Sequence, residues 1–392
     1  MTTRATSNRR TLLLGLGAVG LAPRALAQPT FVAPPLAPLK MDTGRITKVT
    51  VCTRPFRAAG PRLDVEKVGR KRVVHNYGHG GSGWSLSWGC AQIAAAKALE
   101  GGTRDVAVIG CGAIGLTTAL TLLRAGARVT IYAKDRAPYT RSARATGTWS
   151  PESRIADAAR VDTAFPALWD RMARASYAHW QTLLGLDGDP VLWTDRYTLF
   201  DAEGGGGPPV AFPERPVASP EIAFWRPDPY PAGMDPRWRN LDPAQTPFRV
   251  GRVRHGVSMQ FNVAELARQM TQDVLLEGGR IEAMTFDTPG DLQRLKQPVI
   301  VNCAGYGARA LFRDETVIPV RGQITWLAPQ PEVRYGLYYR HVNVLPRADG
   351  IVVQYGGQDE MWGYGSEDET PDMAEAEAAI RTLAPLFDAA RA

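Results

Sequence analysis

Two stretches of the chain hold residue types whose spacing could do chemistry. The first is Gly110-Cys111-Gly112-Ala113-Ile114-Gly115. Its glycines suit a tight turn, a close approach of backbone amides to a pyrophosphate, and close packing of a helix on a strand. The second runs from His75 to Gly89, HNYGHGGSGWSLSWG. It is too glycine-rich for an ordinary strand or helix, and its glycines would let backbone amides approach a ligand.

The flanking elements fit those roles. Val106 and Val108 begin an apolar strand before the first turn, and Leu116, Ala119, Leu120 and Leu123 recur at helical spacing after it. Gly126 stops that helix, and Val129 to Tyr132 form the next strand. Asp135 stands about 20 residues past the turn, where an acid can bind a ribose hydroxyl. The unit predicts a dinucleotide site. The second block feeds an alanine-rich helix over Cys90 to Leu99, whose N-terminus would favour negative charge beside the loop. His75 and His79 lack a third ligand nearby, so no metal is expected.

Composition bounds the rest. A chain of 392 residues that is 44% hydrophobic can bury a large core, and two domains are expected. Four of its seven net positive charges are Arg4, Arg9, Arg10 and Arg24. The remainder is too balanced to suggest nucleic acid. Cys52, Cys90, Cys111 and Cys303 do not make a disulfide framework in a chain this long, and read as buried thiols.

Residues 1 to 27 read as a twin-arginine signal peptide, with Arg9-Arg10 before a mildly apolar run and Ala25-Leu26-Ala27 as a cleavage site. The run is too short and glycine-rich to span a bilayer. A periplasmic location follows, with no stable membrane insertion once the signal is removed. Residues 28 to 45 are a Pro-rich linker.

Further along, Thr140 to Pro151 is a polar loop, and residues 156 to 184 carry a helical stripe that includes Trp169, Met172 and Trp180. Residues 190 to 250, rich in Pro, Gly and Trp, suggest antiparallel strands with long loops. Val263 to Glu277 is a helix, and Pro298 to Gly305 is a strand ending in a glycine turn. More strands follow at Ile318–Trp326, Val342–Leu345 and Ile351–Gln354, then a helix from Met373 to Arg391 with a break near Pro385.

Taken together, GCGAIGL and IYAKD, VNCAGYGARAL (Val301 to Leu311), RGQ (Arg321 to Gln323), TRPFR (Thr53 to Arg57) and the His75 block resemble D-amino-acid oxidases. The likeness covers nearly the whole chain after residue 46. The order differs. TRPFR and HNYGHGG lie at the C-terminal end of the family's chains and precede the glycine turn here, so the chain resembles a circular permutant. Permutation predicts that Ala392 and the region around Arg45 are neighbours.

The resemblance implies an α/β fold: a Rossmann-type FAD-binding domain with a second, α+β substrate domain built on a mostly antiparallel sheet. The expected division is 46–160 and 255–320 for the first, 161–254 and 321–392 for the second. It also implies non-covalent FAD and oxidative deamination of a D-amino acid by hydride transfer to flavin N5. The products are a 2-oxo acid, ammonia and hydrogen peroxide. The expected partners are a small-molecule D-amino acid and oxygen, with room for a homodimer.

Carried over residue by residue, Arg54 matches the family's carboxylate-binding arginine, with Arg57 its nearest competitor. A guanidinium grips a carboxylate through two parallel hydrogen bonds. Gly110, Gly112, Ala113, Ile114 and Gly115 would hold the pyrophosphate. Ser142, Thr146, Gly147, Thr148 and Trp149 would border the cofactor, and Gly80, Gly81, Ser82, Gly83, Trp84 and Ser85 would meet the flavin. Lys134 stands where the family has an acid and Asp135 follows it, so both are candidates for the ribose. Asn343 stands where the family has a carboxylate-binding tyrosine, with Tyr338 and Tyr339 nearby. Alternatives are a glycine- or sarcosine-type oxidase, a D-aspartate-type enzyme using Arg340 or Arg57, a dehydrogenase, or a flavin-binding protein without catalysis.

Overall fold

Short apolar runs buried on both faces build the smaller of two sheets. Val106 to Ile109 and Val299 to Asn302 are wholly buried, as strands are when helices cover both sides of a parallel sheet. The computed structural model describes residues 36–202, 209–214, 222–234 and 237–387. The expected signal peptide, residues 28–35 of the linker and the last five residues lie outside them. Both sheets belong to one compact unit that starts at Leu36.

The chain begins with β1 (Ile46–Arg57), β2 (Val65–Val68) and β3 (Lys71–His75), followed by α1 (Gly83–Leu99). The dinucleotide unit is β4 (Asp105–Ile109), α2 (Ala113–Arg124) and β5 (Arg128–Ala133). Next come α3 (Phe165–Gln181), β6 (Val191–Phe200), β7 (Arg239–Leu241), β8 (Arg252–Phe261) and α4 (Val263–Leu276). The remainder is β9 (Arg280–Ala283), β10 (Val299–Asn302), α5 (Gly307–Phe312), β11 (Val317–Leu327), β12 (Tyr335–Tyr339), β13 (Val342–Arg347), β14 (Gly350–Tyr355) and α6 (Met373–Leu383).

The smaller sheet has the order β2-β3-β10-β4-β5-β9 and is parallel except for β2. It is the Rossmann-type sheet, with α1 and α2 packed together on it. The larger sheet, β1-β11-β14-β13-β12-β6-β8-β7, is antiparallel except where β12 runs beside β6. Both β1 and β8 are strands of this larger sheet, although the sequence division grouped them with the cofactor domain. Position along the chain does not separate the two sheets, because the backbone passes between them several times.

The helix expected from Cys90 starts at Gly83. Seven residues of the glycine-rich block, Gly83 to Gly89, are therefore helical, and packing explains why. A Cβ at Gly89 would lie 2.2 Å from the Met172 carbonyl oxygen, so glycine lets the backbones of α1 and α3 touch. Burial of Trp84, Leu86 and Trp88 against α3 outweighs the low helix propensity of the glycines.

At the other end of the chain, α6 packs on the turn Thr43–Arg45. Leu386 and Phe387 share an apolar cluster with Leu39, Met41 and Ile46. Among the described residues no helix is long and apolar enough to cross a membrane.

Candidate active site

A cavity of about 870 Å³ runs between the two sheets, and most of the residues singled out by sequence line it. At the glycine turn, Gly110, Gly112, Ala113 and Ile114 face it. Gly115 does not; it packs inward, where a Cβ would lie 1.9 Å from the Gly110 carbonyl oxygen. The N-cap residue of α2, Gly112, has no side chain to cap it, which leaves first-turn amides beyond Ala113 to an anion. Ser142 lines the cavity there, its Oγ accepting the Ala113 amide at 3.0 Å. Lys134 and Asp135, just past β5, both line the far stretch together with Met284, Thr285 and Phe286.

Toward the larger sheet the lining passes to Gly80, Gly81, Gly83, Trp84 and Ser85, and to Thr146, Gly147 and Thr148. Gly80 has φ +54, and a Cβ on it would lie 1.8 Å from the Arg154 carbonyl oxygen. The block is further pinned by Gly80 N–H donating to the Pro55 carbonyl (2.8 Å) and Gly81 N–H to that of Ser153 (2.9 Å). Two residues expected here turn away. Ser82 stands at the N-cap position of α1, and its Oγ donates instead to the Ser153 carbonyl (3.0 Å). Trp149 is buried against Tyr177 and Phe261. Thr146 Oγ1 donates to Gln354 Oε1 at 2.6 Å, tying this loop to the larger sheet.

The far wall brings together Arg54, Tyr338 and Asn343. Arg54 projects from β1 over Gly322 of β11 and donates from Nη1 to the Arg321 carbonyl (3.2 Å). Among the described residues no carboxylate pairs with it, and burial pulls its pKa down. Tyr339 is on the opposite face, where its hydroxyl donates to Asp201 Oδ1 at 2.6 Å. Adjacent strand residues point to opposite faces, so Tyr338 and Tyr339 cannot share the site. The other arginines considered are engaged elsewhere: Arg57 donates to the Gly60 carbonyl (2.9 Å) and Thr316 Oγ1 (3.0 Å), and Arg340 lies 2.9 Å from Asp201.

Sequence reading missed Glu152, Arg154, Arg196 and Gln354, all of which line the cavity. Burial raises the Glu152 carboxyl, and Tyr230 donates to its Oε2 at 3.3 Å. Burial likewise pulls Arg154 down to about 10. The one available signal was the adjacent charges Asp195 and Arg196 within an otherwise largely apolar strand, VLWTDRYTLF.

The cavity fits FAD. Its glycine turn meets a helix N-terminus at which Ser142 takes the Ala113 amide, a setting that suits a diphosphate. Lys134, Arg141 and Arg144 add positive charge to its walls. Thr148 Oγ1, buried in the lining, has no hydrogen-bond partner among the described residues, a polar atom that a bound ligand would satisfy.

A profile described as DAO, FAD dependent oxidoreductase, matches residues 105–392. The D-amino acid oxidase of Dugesia ryukyuensis is 33% identical over 84 residues, 21% of this chain and 25% of that protein. The D-amino-acid oxidase of Streptomyces coelicolor is 25% identical over 292 residues, 72% of this chain and 77% of that one. Among solved structures, glycine oxidase from Geobacillus kaustophilus aligns with a TM-score of 0.47 at 15% identity, covering 72% of this chain and 78% of that one.

Proposed function

Because the chain belongs to the DAO family of FAD-dependent oxidoreductases, we propose that it oxidises a D-amino acid to an imino acid. Water then hydrolyses this to a 2-oxo acid and ammonia, and oxygen is reduced to hydrogen peroxide. One observation carries this reading: Arg54, half-buried and without a carboxylate partner among the described residues, opens on the same cavity as the glycine turn. The curated relatives support the D-configuration.

Bound FAD supplies the two-electron acceptor. The chain's residues bind and orient. Amides at the start of α2 hold the diphosphate, and Lys134 or Asp135 meets the adenosine ribose. The N-terminus of α1, at Gly83 to Ser85, favours negative charge in the cavity beside it. Arg54 grips the substrate carboxylate and fixes its register, which is the main catalytic service a protein gives a redox cofactor. Glu152, its carboxyl raised by burial, lies in the lining of the same cavity.

The segment order supports a permuted chain. The profile match begins at Asp105, leaving β1, β3 and α1 upstream although they complete the same two sheets. Export through a twin-arginine signal remains part of the proposal, and cell fractionation of the full-length chain and an Arg9, Arg10 double lysine variant tests it.

The decisive experiment is anaerobic addition of a panel of D- and L-amino acids to the purified, FAD-loaded protein. D-forms should bleach the flavin and release peroxide when air is admitted. Failure of every D-amino acid to bleach it would remove the proposal.

A further inference from the structure

Arg196 is a cation that the fold buries without an anion. It is 9% exposed. From β6 its side chain crosses Gly336 of β12, where a Cβ would meet its Nη1 at 2.3 Å. It then reaches β13, donating to Asn343 Oδ1 and, from Nη1, to the Val344 carbonyl (3.3 Å). These acceptors are neutral, and among the described residues no carboxylate pairs with Arg196. Desolvation alone pulls its pKa down, to about 10. A buried charge without a partner costs several kcal/mol, a cost that an anion entering the cavity would offset.

Arg54 and Arg196 line one cavity. The guanidinium of Arg54 lies over β11 and that of Arg196 reaches β13, with β14 between them. Two strand spacings separate these positions, roughly 10 Å across the sheet. Two carboxylates joined by a chain of two or three carbons, each hydrogen-bonded to its own guanidinium, span such a gap. With Oδ1 taken by Arg196, Asn343 keeps Nδ2 as a donor toward the same anion. Arg154 adds a third positive charge to the wall; Glu152 shares the lining, and Glu360 and Asp359 lie near Arg154.

Resting on the D-amino-acid reading above, we infer that the substrate has an acidic side chain, its α-carboxylate held by Arg54 and its second carboxylate by Arg196 and Asn343. Arg196 is thus a specificity residue.

The test uses the FAD-loaded enzyme and two readouts. Anaerobic flavin bleaching compares D-glutamate and D-aspartate with D-glutamine and D-asparagine. Calorimetric titration compares glutarate with butyrate, neither of which can be oxidised by this reaction. The acids should outperform their amides at least tenfold, and glutarate should bind at least tenfold tighter than butyrate. Arg196→Met should bring both ratios near one, and Arg196→Lys should keep part of them. The wild-type series stands even if Arg196→Met fails to fold. Amides matching acids, with glutarate no tighter than butyrate, would overturn the second anchor while D-alanine bleaching kept the D-amino-acid reading. Glutarate preference with no bleaching by any D-amino acid would leave the anchor and remove that reading.

Discussion

The guanidinium of Arg54 lies directly over Gly322, so that a Cβ there would sit 2.3 Å from Nη2 and 2.6 Å from Cζ. A methyl group at this position must displace the arginine. Gly322→Ala should therefore cost roughly 1.5–3 kcal/mol of carboxylate binding, the worth of a hydrogen bond to a charged group. That is a loss of about ten- to a hundredfold in kcat/KM, or in the Kd of an unreactive carboxylate read from the flavin spectrum. Arg54→Met should lose at least as much.

Gly115→Ala should fail differently. Its Cβ would meet the Gly110 backbone oxygen at 1.9 Å, and backbone cannot swing aside as a side chain can. We expect about 1–3 kcal/mol of overpacking cost and a protein that purifies without flavin. Gly126→Ala is the control. It has φ +81 but nothing within 4 Å, so it should show the backbone cost alone and keep its FAD.

His79 sets a pH dependence of stability. It is 2% exposed, its Nε2 lies 3.1 Å from Cys90 Sγ, and burial pushes its pKa down to about 3. The unfolded chain binds this proton near pH 6.5 and the folded one does not. The contribution is therefore full above pH 6.5 and is lost as pH falls toward 3. Between pH 6.5 and 5, His79→Phe should flatten the slope of unfolding free energy by up to about 1.4 kcal/mol per pH unit, measured by denaturant titration.

Arg321 and Glu375 form an ion pair at 3.4 Å with side chains 1% and 2% exposed. Arg321 also donates to the carbonyls of Asp368 (3.0 Å) and Thr370 (2.9 Å). Glu375→Gln should destabilise the protein, because it removes the buried carboxylate charge that faces the Arg321 guanidinium. Pairing it with Arg321→Met should recover much of the loss in thermal unfolding.

Leu386 and Phe387 pack into the cluster that holds Ile46. A rearranged chain that starts at Arg104 and joins Phe387 to Ile46 through a short linker should fold and bind FAD with unchanged absorbance. A rearranged chain that is insoluble or flavin-free would argue against the permuted order.

Local motifs made the cofactor half of the site legible. Gly110 to Ile114 and Lys134 to Asp135 line the cavity together because a turn and its flanking strands are contiguous in sequence. The substrate half was read less well, because it is assembled across strands. Arg196 enters by reaching over β12 to β13, a contact set by sheet order that no spacing within β6 reveals. Tyr338 and Tyr339 differ for a simpler reason: which face a strand presents depends on register, and the sequence did not fix it. The start of α1 was misplaced because tertiary packing on α3 overrode the poor helix propensity of its glycines.

The hydrogen bond from Gly80 N–H to the Pro55 carbonyl joins the loop that would meet the flavin to the residue next to Arg54. The oxidant's seat and the substrate's anchor are thereby parts of one rigid piece, though they belong to different sheets. Arg196 and Tyr338 rise from the same larger sheet as Arg54, so one framework sets both the gap across which electrons would pass and the spacing of the groups that would hold the acid.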